Sequence, residues 1–321
     1  VVYFNDQNLG YVDIKELMKF VASDDPQNKW MAPGRDKPID ILPSKKISVA
    51  VDSAFVVKNG IVPKGMENRI VKSLNWEVKK NYVLKNDLMI LDLLAANDWK
   101  RPVYFAVTTG SDSYLNLEKY LQLEGLAYRL VPIESTPAEM ASGGPRIAED
   151  IMYDNIMKFQ YGGMNIPGVY LDENCLRMAS NMRIQIGQLA SALTEKGKKD
   201  KALKVLDKAM LEMPESNVPY DATMYSIALG YYQAGNVAKG NELSKRLFDI
   251  FEKDLIFYNK MKRENRDFYG REIRQATDIL NRLITISNAF GSKELAKEFS
   301  NRIKTVVPED AIDPQGLPVM P

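Results

Sequence analysis

Thr108, Thr109, Gly110, Ser111, Asp112 and Ser113 gather the hydroxyl and carboxylate chemistry of this chain into one short stretch. They follow an apolar run, VYFAVT, and lead into SYLNLEKYLQLE, which has the spacing of an amphipathic helix. A turn in that position aims backbone N–H groups and hydroxyls at one spot and can hold a phosphate or carboxylate. The competing role is structural, because Asp112 or Ser113 can cap the helix by accepting from its first N–H groups. Neither GxGxxG nor GxxxxGK[ST] occurs, so this candidate ligand turn lacks a phosphate-loop signature. Arg101, just before the strand, can pair with an anion beside the turn or simply face solvent.

Asp92, Asp98 and Asp112 are the carboxylates that a glycoside-cleaving pair would draw on. Their spacing does not place two of them together, and aspartates at helix ends are usually caps. The chain has no histidine, which removes Ser-His-Asp and Cys-His nucleophile activation and histidine-bound zinc. Acid–base work would fall to Asp, Glu, Lys or Tyr, and a metal would have to be a hard, oxygen-bound cation. The nearest calcium-like run, DQNLGYVD at 6–13, has neither EF-hand spacing nor a closing bidentate Glu, so no metal and no cofactor is expected. Cys175 is the single cysteine and cannot form an internal disulfide.

Lys and Arg total 43 against 42 Asp and Glu in 321 residues, so there is no net positive field for nucleic acid. The longest apolar runs, ISVAVDSAFVV and LMILDLLAA, are broken by Asp and too short to span a bilayer, and a soluble chain is expected. It opens on VVYFNDQ with no initiator Met and no secretory apolar core, which predicts a segment cleaved or cut from something longer.

The elements that must position these residues read as follows. DIKELMKFVA at 13–22 predicts a helix capped by Asp13, with Ile14, Leu17, Met18 and Val21 on one stripe. KISVAVD and FVVKNGIVP predict two short strands, with Asn59-Gly60 a strong turn signal. NDLMILDLLAAND at 86–98 predicts a buried helix that starts at an Asx cap. VYFAVT and LAYRLVPI at 126–133 predict two strands with a helix between them, long enough for a right-handed parallel crossover.

Residues 1–150 are therefore expected to form an α/β (or α+β) domain with a small mixed sheet, and 151–174 a connecting segment with a short helix. Residues 175–308 are expected to form an all-α TPR-like helical-hairpin domain, and 309–321 a flexible tail. Leu189, Ala190, Leu193, Gly197, Ala202, Leu206, Ala209 and Pro214 set out the small–large spacing of one hairpin. Ile227, Ala228, Tyr231, Gly235, Gly240, Ser244 and Leu247 repeat it without a closing Pro. Leu283, Ile284, Ser287, Gly291, Ala296, Ser300, Ile303 and Pro308 repeat it again, with Ser287 in place of an aromatic. Tyr225, Leu229, Tyr232 and Gln233 would line the inner face of the second hairpin as a candidate partner groove.

Three runs, NDLMILDLLAANDWKRPVYFAVTTG, YLNLEKYLQLEGLAYRLVPI and DNIMKFQYGGMNIPGVYLDENCLRMASNMR, carry a resemblance. Together with the helices after them, they resemble the C-terminal soluble part of a family of large Bacteroidetes membrane proteins. That family looks like C-type glycosyltransferases related to protein O-mannosyltransferases. The resemblance implies a multi-spanning bundle that binds a polyprenyl-phosphate sugar and keeps its catalytic acid in an early exocytoplasmic loop. Neither is in this sequence, so no catalytic residue carries over. What carries over is placement on the periplasmic side of the inner membrane after the last membrane helix.

The expected function is accordingly a non-catalytic periplasmic module of a membrane-embedded glycosyltransferase. Its partners would be the membrane domain of the same parent protein and a protein or peptide bound by the helical repeats. The alternatives are a free-standing periplasmic TPR-type adaptor and a small hydrolase or transferase built on the 108–113 turn.

Overall fold

The structure is a computed structural model that describes residues 1–306 apart from Ala32, Arg35 and 141–143. The tail expected at 309–321 lies outside the described residues. The chain divides into two compact units, Val1–Ala148 and Glu149–Pro321. The first is an α/β unit with mixed sheets and the second is helical.

The first unit runs β1 (Val2–Phe4), β2 (Val12–Asp13), α1 (Ile14–Ala22), β3 (Lys29–Trp30), β4 (Ile39–Leu42), β5 (Lys46–Ala50) and α2 (Ser53–Lys58). It continues through β6 (Ser73–Glu77), β7 (Tyr82–Val83), α3 (Lys85–Asn97), β8 (Tyr104–Ala106), β9 (Leu121–Leu123), β10 (Ala127–Leu130), α4 (Pro137–Met140) and β11 (Arg146–Ile147). The strands form three small sheets, ordered β3-β4-β1-β7, β11-β9-β10-β8 and β2-β5-β6. Each sheet mixes parallel and antiparallel pairs: β1 runs parallel to β4, β9 to β11 and β2 to β5, and the other pairs are antiparallel.

Helix α1 forms as its pattern predicts. The Asp13 carboxylate accepts from the Lys15 N–H at 2.8 Å, and Ile14 and Leu17 are buried. They join Leu42, Ile47, Leu74 and Leu91 in the main core of the unit, where removing apolar surface from water supplies the dominant stabilisation.

The strand expected over FVVKNGIVP is a helix instead. Asp52 caps α2 by accepting from the Phe55 N–H at 3.0 Å. Gly60, at φ 59°, closes the far end as the N–H groups of Gly60 and Ile61 donate to the carbonyls of Val57 and Val56. Asn-Gly serves helix ends as well as hairpins, because both need a residue at positive φ.

Helix α3 forms, with two differences. Its first turn is closed by the buried Asp87, which accepts from the Leu84 N–H at 3.0 Å, while Asn86 lies inside that turn. It is also one-sided: Leu91, Leu94 and Ala95 are buried while Met89 and Leu93 face solvent.

The parallel crossover does not form. β8 and β9 both pair antiparallel with β10, so the stretch is a meander. The expected helix over SYLNLEKYLQLE is replaced by two 3₁₀ turns, Ser111–Tyr114 and Glu118–Tyr120, leading into β9. Tyr114, Leu115, Leu117, Tyr120 and Leu121 are all buried, an arc too wide for one face of a helix. Leu115 and Asn116 satisfy that demand by entering the left-handed region at φ 52° and 65°. Tyr114 then packs edge-on against Phe105 and Tyr128 at 5.6 and 5.7 Å.

The second unit comprises α5 (Glu149–Lys158), α6 (Glu173–Glu195), α7 (Lys199–Glu212), α8 (Met224–Ala234), α9 (Val237–Asn259), α10 (Arg263–Phe268), α11 (Gly270–Phe290) and α12 (Lys293–Val306). Helices α6 and α7, α8 and α9, and α11 and α12 pack as hairpins, with α6 also on α8 and α9 on α11. Gly197 and Gly235 turn the first two hairpins at φ 74° and 93°. Leu189, Ala190, Leu193, Ala202, Leu206, Ile227, Ala228, Leu247 and Leu283, all read as packing positions, are fully buried. The close approach of α6 to α8 depends on Gly187, where a Cβ would lie 2.4 Å from that of Ser226. Arg183 of α6 is buried and donates to the carbonyls of Val218, Pro219 and Met213 at 2.7, 2.9 and 3.3 Å, tying the loop after α7 to the first hairpin.

Candidate functional site

The most developed cavity of the first unit, about 280 Å³, forms where α3 ends. The sequence from Asn97 to Val103 supplies one wall, and Asp13, Lys15, Ala50, Asn59 and Arg129 complete it.

Local backbone geometry builds that wall. Asp98 ends α3 in the left-handed region at φ 46°, and Trp99 follows at φ 60°. Consecutive non-glycine residues at positive φ are strained and persist only when their surroundings hold them. Two clamps do so here. The Asn97 side chain accepts from the Arg101 N–H at 3.1 Å and donates to the Arg101 carbonyl at 2.8 Å. The Trp99 indole N–H donates to the Ala50 carbonyl at 2.9 Å, and its ring packs on both apolar clusters of the unit.

The charges in the cavity are mostly committed. Lys15 pairs with Asp98, and their hydrogen bond raises the lysine pKa and lowers that of the carboxyl. Lys100 reaches the other Asp98 oxygen at 3.5 Å. Asp13 is engaged as the cap of α1. Arg129 pairs at 3.6 Å with the buried Glu124, to which the Tyr104 hydroxyl donates at 3.2 Å and the Gln122 amide at 2.7 Å. Tyr104, Arg129, Gln122 and Arg146 stand opposite one another across the four strands β8, β10, β9 and β11. The arginine in the cavity wall is thus held by a ladder of polar residues that crosses the whole sheet.

This arrangement suits binding better than bond cleavage. The lining has no Ser, Thr or Cys to serve as nucleophile. Asp98, held ionised by Lys15, is a poor proton donor. Arg101 is exposed, its guanidinium has no partner among the described residues, and it is the cation left for an incoming group.

The structure brings few of the other expected site residues together. Thr108, Gly110, Ser111 and Asp112 are exposed, with Thr109 and Ser113 half-buried. The turn is closed internally, by the Tyr114 hydroxyl donating to the Thr109 carbonyl at 2.9 Å and the Ser113 N–H to the Gly110 carbonyl at 2.9 Å. Its second half opens only a four-residue 3₁₀ turn, Ser111–Tyr114, so no helix macrodipole stands behind it. Ser111 and Asp112 border a separate hollow with Lys79, Lys80, Asn116 and Glu118, where carboxylates face the lysines. Asp98 lines the main cavity, Asp112 the smaller one and Asp92 neither, so the three do not form an acid–base pair. Among the described residues no group of three or more Asp, Glu or Cys is arranged to hold a metal ion. None of their helices is long and apolar enough to cross a membrane.

In the helical unit, Tyr232 is buried, stacks on Phe290 and donates to Asn241 at 2.8 Å. Tyr225 is half-buried with Arg282 over its ring, Leu229 is half-buried, and Gln233 accepts from the Ser191 hydroxyl at 2.6 Å. A cavity of about 360 Å³ in this unit is lined instead by Tyr220, Tyr231, Lys239, Glu215 and Arg246, among others. Tyr231 there donates to Asp207 at 2.6 Å, and burial and that hydrogen bond raise its pKa strongly. Sequence spacing placed Tyr231 as a packing residue and gave no sign that it borders a cavity. Lys15 and Arg129 were equally illegible in the sequence, since each reaches the first cavity through the tertiary fold.

Residues 1–146 match the family described as TMEM260-associated domain 2. The helical unit lies beyond the matched span. Neither curated proteins nor solved structures give a match to the chain.

Proposed function

We propose that this chain is a non-catalytic accessory module of a membrane-embedded glycosyltransferase-like protein of the protein O-mannosyltransferase kind. The observation that carries the proposal is the match of residues 1–146 to TMEM260-associated domain 2. The cavity supports it, because the charged groups there are mostly paired and its lining holds no Ser, Thr or Cys.

In this reading the module sits on the periplasmic side of the membrane, packs on the membrane domain of its own parent, and engages an acceptor or partner protein through hairpins of TPR type. The small–large spacing in α6 to α9, and the glycine-mediated approach of α6 to α8, support the hairpin assignment. The resemblance of the WKRP-YFA and QLEGLAYRLVPI runs supports the placement.

Determining the complete reading frame and mapping its topology by site-specific cysteine labelling tests the proposal. Several membrane spans upstream of Val1, with this chain on the periplasmic side, are expected. A lone export signal upstream would replace the proposal with a free-standing periplasmic adaptor.

A further inference from the structure

The end of α9, the short α10 and the start of α11 present a surface that none of the three cavities described above uses. Four rings form a continuous chain there: Phe257 lies 5.7 Å from Tyr258, Tyr258 lies 5.3 Å from Tyr269, and Tyr269 lies 5.3 Å from Phe268. The two ends of the chain project into solvent, Phe268 being 82% and Phe257 61% exposed. Phenylalanine has no polar atom to reward that exposure, and adjacent exposed rings of this kind mark contact surfaces.

The charge around the rings is one-sided. Lys260, Lys262, Arg263, Arg266, Arg271 and Arg274 fall within residues 260–274, against Glu264, Asp267 and Glu272, although the whole chain is balanced at +1. None of these six cations forms an ion pair or a side-chain hydrogen bond among the described residues, whereas Arg246 and Arg302 on the neighbouring helices are paired. Unpaired cations framing exposed aromatic rings match the interface of an anionic bilayer. Rings seat there at the boundary of headgroups and acyl chains while Lys and Arg meet lipid phosphates.

The ring geometry separates this occupant from nucleic acid. Successive bases need parallel faces to stack on. Here the planes turn by 61°, 32° and 84° from one ring to the next. A peptide groove is equally unsupported, because no cavity described above is lined by a residue from 256–274.

We propose that Phe257, Phe268 and the surrounding cations form an interfacial anchor that seats the helical unit on an anionic lipid surface. The inference does not rest on the family match, which ends at residue 146.

The test uses the 321-residue chain and unilamellar vesicles of phosphatidylcholine, alone or mixed with phosphatidylglycerol. Sedimentation should show binding to the mixed vesicles that weakens as salt rises and is at least about tenfold weaker for phosphatidylcholine alone. The pair Phe257→Ser and Phe268→Ser, and separately Arg263→Glu with Arg266→Glu, should each lower binding about tenfold or more with unchanged thermal unfolding. A Phe268→Trp variant should gain fluorescence quenching by brominated lipid beyond that of the parent chain, which reports insertion of this position. Absence of vesicle binding, binding indifferent to both pairs, or no added quenching at position 268 would overturn the proposal. A single-stranded RNA that binds and is lost in the same variants, with no vesicle binding, would assign the surface to nucleic acid instead.

Discussion

Gly240 of α9 lies directly against the ring of Tyr232 in α8: a Cβ on Gly240 would sit 2.6 Å from Cδ1 and 2.7 Å from Cε1. The buried ring also stacks on Phe290 at 6.4 Å and donates from its hydroxyl to Asn241. Gly240→Ala sets two effects against each other. Helix propensity favours Ala by about 1 kcal/mol, and overpacking costs about 1–3 kcal/mol. The clash should win because the ring is buried and tied at its hydroxyl, giving a net loss of up to about 2 kcal/mol in urea unfolding. An unchanged or higher midpoint would show that the ring yields.

Leu206 tests the register of the first hairpin. It is fully buried in α7, and its Cδ2 would lie 3.1 Å from a Cβ on Gly230 of α8. Leu206→Ala should cost about 2–5 kcal/mol, the range for a buried leucine that leaves a cavity. A loss below about 0.5 kcal/mol would mean that this position does not hold α7 to α8.

Arg69 and Glu139 give the first unit an acid-sensitive link. The guanidinium donates to both carboxylate oxygens at 2.8 and 2.7 Å, and the Thr136 N–H adds a third donor at 2.8 Å. The arginine, above all, lowers the Glu139 pKa from 4.5 to about 2. A carboxyl with a depressed folded-state pKa adds stability above its unfolded value, and that stability drains away as pH falls through the folded one. Glu139→Gln should therefore cost about 1–2 kcal/mol at neutral pH, discounted because both side chains are about a quarter exposed. The gap between parent and variant should close as pH falls from about 4.5 towards 2. A gap that stays constant across that window would rule out the ion pair as its source.

Asp98 separates backbone strain from charge at the cavity. Its φ of 46° favours glycine, while its pair with Lys15 is solvent-exposed. Asp98→Gly should unfold close to the parent, since relief of strain offsets loss of a surface ion pair. Asp98→Val should unfold at a clearly lower temperature than both, because a β-branched residue resists that conformation. Equal stability of the two variants in thermal unfolding would show that the α3 terminus can relax.

Local patterns carried the sequence reading where one neighbour decides the structure. Asp13 caps α1 because its carboxylate needs only the N–H two residues on, and the small residues of α6 to α9 mark the places where helices meet. The reading failed where burial from several sides overrode periodicity. Tyr114 to Leu121 looks helical but must bury an arc too wide for a helix, so left-handed residues at Leu115 and Asn116 break it. Asn59-Gly60 is ambiguous in principle, and the cap from Asp52 decides in favour of a helix end. The cavity was not legible as a site, and the turn expected to be one, 108–113, does not line it. Asp98 and Arg101 were weighed in the sequence for other roles, but Lys15 and Arg129 reach the cavity from 82 residues before and 32 residues after Asn97, by pairings that spacing does not announce.

The central claim, that this chain assists a glycosyltransferase without catalysing transfer itself, meets its most direct test in a paired transfer assay. Purified chain and full-length parent protein are each incubated with lipid-linked mannose and periplasmic acceptor proteins, and sugar on the acceptor is measured. Transfer from a polyprenyl phosphate needs a site at the membrane surface where lipid phosphate, acceptor and an acidic base meet. None of the described helices is long and apolar enough to cross a membrane and hold that lipid, and the charged groups in the cavity at the end of α3 are mostly paired. The account predicts turnover by the full-length protein and none by the chain alone. Turnover by the chain alone that disappears in Asp112→Ala would contradict it and make the 108–113 turn an active site.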